Sequence, residues 1–155
     1  MSDQGTNSNG SLVLPPIGMP PPTEAQSFLE SARQFYYGAE KLNEGGSNET
    51  AVACTFLCGF AAECVLKAYL SHVGVTIQTL KAIGHDLNTL WEKAVVNGLK
   101  VVDKTPPAWC AVLSQLHNRP FHLRYPMCLN VMNLPAPEEM ISSLKDLIDI
   151  VENQV

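Results

Sequence analysis

Apolar positions in this chain recur every three to four residues in several separated runs, and nowhere alternate over the length of a strand. The densest run is Ala51–Val75, AVACTFLCGFAAECVLKAYLSHVGV, apolar on almost every side and interrupted by Glu63 and Lys67. A helix that is apolar all round is either a core helix or a membrane span. One charge at mid-bilayer costs about 2.5–3.5 kcal/mol on the insertion scale. Two charges and no companion span therefore predict the central helix of a small all-α domain that does not enter the membrane. Stepping about 100° per residue, Val52, Phe56, Gly59, Phe60, Glu63 and Lys67 share one half of that helix, and Cys54, Cys58, Ala61, Val65 and Ala68 the other. Glu63 and Lys67 are an i,i+4 pair in the favoured order. Because they share a face with two phenylalanines, we expect partial burial and a structural ion pair of Glu63 with Lys67, Arg124 or both.

The remaining runs predict one-sided helices around this one. Thr23-Glu-Ala-Gln26 is a capping box after three prolines, and Phe28, Ala32, Phe35, Tyr36, Ala39 and Leu42 continue at helical spacing until Gly45-Gly46. Arg33 is expected near the solvent side of that helix. The central helix should start near Ser47 or Asn48 and stop at Gly74. Gly84-His85-Asp86-Leu87 reads as the start of a third helix, capped by Asp86, with His85 packing or assisting the cap. Thr105-Pro-Pro-Ala108 opens a fourth ending at His117, and Pro137-Glu-Glu opens the last. The expected fold is therefore all-α: a small up-and-down helical bundle of about five helices over residues 23–155. Residues 1–22, Ser/Asn/Gly-rich and then Pro-rich, predict a disordered arm.

The composition adds constraints. A formal net charge of -5 gives no global attraction to nucleic acid, so any such binding needs a local basic patch. The five cysteines, Cys54, Cys58, Cys64, Cys110 and Cys128, follow a polar N-terminus and lack Cys-x-x-Cys spacing. They read as reduced thiols of a cytoplasmic protein, packed as small hydrophobes, and no metal site or cofactor is expected.

Three pieces, AAECVLKAYL, GHDLNTLW and HLRYP, stand in this order. Together they resemble the HEPN domain family (higher eukaryote and prokaryote nucleotide-binding), over about Thr23 to Val155. The resemblance implies a helical bundle, commonly a homodimer. It also implies either a metal-independent RNase or an inactive partner of a small nucleotidyltransferase in a toxin–antitoxin or defence system. The family's RNase signature is Arg, four to six residues, then His. Here Arg119 is followed by His122 after two residues, and Arg124 by no histidine.

The segment HNRPFHLRYP nevertheless carries His117, Arg119, His122 and Arg124 in a chain with four histidines and three arginines. Arginine forks bind phosphate, and histidine moves protons near neutrality. Arg119, His122 and Arg124 are therefore the candidate ligand-binding residues, and His122, Arg119 and His117 the candidate catalytic ones. The function expected is a nucleotide- or RNA-associated HEPN-like module without standard RNase catalysis, acting with a partner. Two alternatives stand beside it: an RNase using this non-standard loop, and a structural helical dimer whose Pro-rich arm captures a partner.

Overall fold

The computed structural model describes residues 18, 20–46, 48–125 and 131–155. Most of the expected arm, together with Ser47, Pro126 and Cys128, lies outside the described residues. The described residues form six α-helices: α1 (Glu24–Glu44), α2 (Ala51–His72), α3 (Ile77–Ile83), α4 (Leu87–Val96), α5 (Ala108–His117) and α6 (Pro137–Glu152). A single 3-10 turn, Asn48–Thr50, leads into α2, and no strand occurs among the described residues.

Several local signals act as written. The central helix, however, starts at Ala51, after Thr50, which makes no side-chain cap hydrogen bond, rather than near Ser47 or Asn48. The two prolines stand before α5 rather than in its first turn. Thr23 and Gln26 close a reciprocal capping box at the start of α1. Asp86 caps α4, its carboxylate accepting from Thr89 N at 3.1 Å and from the Thr89 hydroxyl at 2.8 Å. Proline occupies the first position of α6, where its missing N–H has no partner to lose. The bundle has one helix more than expected. Helix α3 is a short segment capped by Thr76, and of its residues only Leu80 is buried. A helix that buries one side chain leaves no periodic stripe to read.

Helices α1 and α2 pack antiparallel. Cys54 Sγ lies 3.5 Å from Ala39 O, and Phe60 stacks on Phe35 at 5.3 Å between centroids, so later residues of α2 meet earlier ones of α1. Helices α4, α5 and α6 pack against the rest of α2. Most of α2 is thereby covered within one chain: Cys58, Ala61, Ala62, Val65, Leu66, Ala68 and Leu70 have no exposed surface, while Val52 near its start stays 45% exposed. Among the described residues, one helix is long and apolar enough to cross a membrane, and 61% of its apolar window is buried inside this fold. Arg33 departs in part from its expected solvent position: its Nε donates to Glu152 at 2.6 Å and ties α1 to α6.

Candidate functional site

Gly59, Glu63 and Lys67 follow at intervals of four along one side of α2. Lys67 Nζ donates to Glu63 Oε1 at 2.6 Å, and both side chains are 9% exposed. The other oxygen, Oε2, stands 2.7 Å from His85 Nδ1 and 2.7 Å from His117 Nε2. His85 lies in the turn before α4 and His117 is the last residue of α5, so three elements converge on one carboxylate. Both contacts are hydrogen bonds when His85 carries its hydrogen on Nδ1 and His117 on Nε2. Burial opposes the charge on Glu63. The hydrogen bonds from His117, Lys67 and His85 outweigh it and lower the carboxyl from its ordinary 4.5 to about 2.

Gly59 makes room for this arrangement. A Cβ there would stand 2.7 Å from His117 Nδ1. Phe60 meets the His117 ring edge-on at 4.8 Å and the His85 ring at 6.3 Å, and Phe121 meets His85 at 5.5 Å. The cluster is sealed by aromatic rings except at His85, whose side chain is 30% exposed.

The expected Glu63–Arg124 pair does not form. Lys67 and the two histidines already occupy both Glu63 oxygens. Arg124 instead lays its guanidinium carbon over Phe60 and Phe121 at 5.2 Å each, and over Phe56 at 5.7 Å. It is exposed and has no ion pair among the described residues. Beside it opens a 570 Å³ hollow lined by Val52, Ala53, Phe56, Leu57 and Leu123, with Glu49 at its edge.

The other candidates from the segment separate. The His117 side chain is 1% exposed and engaged with Glu63, so it does not meet a substrate. Arg119 is exposed and His122 half-buried, and no hydrogen bond joins them. Neither side chain has an ion pair or hydrogen bond among the described residues, which leaves both available to a ligand. His85, expected to pack or cap, belongs to the cluster, while Asp86 does the capping.

The described thiols are packing groups. Cys54, Cys58 and Cys110 are buried, and burial pushes the Cys64 and Cys110 thiols up to about 12. No cysteine joins a metal-ligand group among the described residues. Among the described residues, the one group of three donors within 4.8 Å of one another is Glu63, His85 and His117, a set the sequence reading did not assemble. Its members are 22 and 54 positions apart, beyond any local spacing rule. Gly59 was the available signal: a mid-helix glycine costs about 1 kcal/mol relative to alanine and marks a close approach. A second hollow, of 470 Å³, is lined by Trp91 and Trp109, whose rings meet edge-on at 6.2 Å between centroids, and by residues of α6; it shares no residue with this site.

No protein-family model, no curated protein and no solved structure matches the chain.

Proposed function

We propose that this chain is a HEPN-like module that binds a phosphate-bearing ligand, a nucleotide or single-stranded RNA, across the turn from Arg119 to Arg124. The observation that carries this reading is Arg124, an exposed guanidinium held on three phenylalanine rings with no carboxylate paired to it among the described residues. An arginine neutralised by a structural acid is a poor anion receptor. One pre-oriented by cation–π contact keeps its donor fork for a ligand. Aromatic rings beside an arginine are also the surface on which unpaired bases stack. Arg119 and His122 extend the turn's positive and polar character in an otherwise acidic chain. With His117 buried, the turn lacks an assembled acid–base pair, which favours binding over rapid cleavage. The resemblance supplies the rest of the reading: a cytoplasmic homodimer working with a partner such as a nucleotidyltransferase in a toxin–antitoxin or defence system.

The test is titration of a labelled RNA oligonucleotide and of ATP at two salt concentrations against wild type, Arg119→Ala and Arg124→Ala. Binding should be weak, fall with salt, and drop about tenfold in Arg124→Ala, which is roughly 1.4 kcal/mol. No binding of either ligand at low salt overturns the reading. EDTA-resistant cleavage abolished in His122→Ala would replace it with the RNase.

A further inference from the structure

We propose that Glu63, His85 and His117 form a binding site for one divalent transition-metal ion of the zinc type. The ligating atoms are His85 Nδ1, His117 Nε2 and a Glu63 carboxylate oxygen, all within 4.8 Å of one another. Two imidazole nitrogens and one carboxylate suit zinc and its first-row neighbours. Calcium and magnesium prefer oxygen alone. Three protein ligands leave a further position for water or another group.

The positions are fixed by independent elements. Glu63 is held mid-helix and its second oxygen is anchored by Lys67 at 2.6 Å, which turns Oε2 toward the two rings. A ligating carboxylate hydrogen-bonded from behind is the usual outer arrangement of such sites. Its cost here is the ammonium charge, which repels an incoming cation, so we expect a moderate affinity. Gly59 admits the His117 ring, and Phe60 and Phe121 close the surroundings to water. His85 is the half-exposed member, and the ion enters from its side.

Loading the ion requires two small changes. Each coordinating nitrogen gives up its hydrogen, which a neutral imidazole carries on its other nitrogen. The 2.7 Å nitrogen–oxygen separations must also widen. Donors about 2.0–2.1 Å from a tetrahedral ion stand about 3.3 Å apart. That opening is about 0.6 Å at each contact; His85, on a turn rather than inside a helix, can supply its own, and the other falls to the Glu63 and His117 side chains.

This inference is independent of the nucleotide reading and is tested without nucleic acid. The full chain is stripped with chelator, then titrated with Zn²⁺ by calorimetry and with Co²⁺ by visible absorption. One ion per chain is expected, with Co²⁺ d–d bands of low-coordinate intensity. His85→Ala should weaken binding at least about tenfold, since even outer partners of such sites are worth that much. His72→Ala removes an exposed histidine outside the cluster and should leave the titration unchanged. Glu63→Gln should also lose the ion, and circular dichroism reports whether it folds. If it does not fold, the half-exposed His85→Ala decides alone. No saturable uptake by wild type, or uptake undiminished in His85→Ala, overturns the site.

Discussion

At the scale of single residues, one carboxylate organises the interior. Glu63→Ala strips Lys67 of its acid in a place where the lysine side chain is 9% exposed. Leaving one member of a buried pair uncompensated costs about 3–5 kcal/mol, and urea unfolding of Glu63→Ala should register a loss of that order. The same carboxyl makes the chelator-treated protein acid-sensitive. Its folded pKa is about 2 against an ordinary 4.5. A depressed pKa means stabilisation that is fully present above 4.5 and lost as pH falls toward 2. Converting the difference gives on the order of 3 kcal/mol. Melting temperatures followed from pH 6 downward should fall more steeply in wild type than in Glu63→Gln through that window. Gly59→Ala sets two effects against each other. Alanine gains up to about 1 kcal/mol in helix propensity, but its Cβ would sit 2.7 Å from a ring that is itself buried. Overpacking of this kind costs about 1–3 kcal/mol, so the variant should be net destabilised in a thermal or urea melt.

At the scale of elements, α2 has the sequence of a membrane span and the surroundings of a core helix. The difference lies in what covers it: α1 on one side, and α4, α5 and α6 on the others. Its two charges are tolerated because they neutralise each other and both histidines complete the set. Leu66 has no exposed surface, and Leu66→Ala should cost about 2–5 kcal/mol, whereas Val96→Ser at an 85% exposed position of α4 should cost far less. Equal losses in the two variants would contradict a core built on α2. Helix α3 shows the opposite balance, with its cap at Thr76 and one buried leucine holding seven residues.

At the scale of the whole molecule, the covering of α2 weakens one argument for a second copy without removing it. Most of both apolar halves is buried within a single chain, but Val52 near the start of α2 is 45% exposed. The proposed homodimer rests on the family resemblance, and sedimentation decides it. A species near twice 16.9 kDa at micromolar concentration is expected, and a single species of 16.9 kDa rejects it.

The helical class, the central place of α2, the caps at Thr23 and Asp86, and the Glu63–Lys67 bond were legible in the order of residues alone. All of these are local, written in spacings of three and four or in a residue beside a helix start. What closes on Glu63 was not legible there. Arg124 was the nearer guess by charge, yet the two histidines took the carboxylate and the arginine went to the phenylalanines. That outcome depends on where the turn before α4 and the end of α5 arrive over α2. No periodicity encodes an arrival point between residues 22 and 54 positions apart, because it is set by how the helices pack.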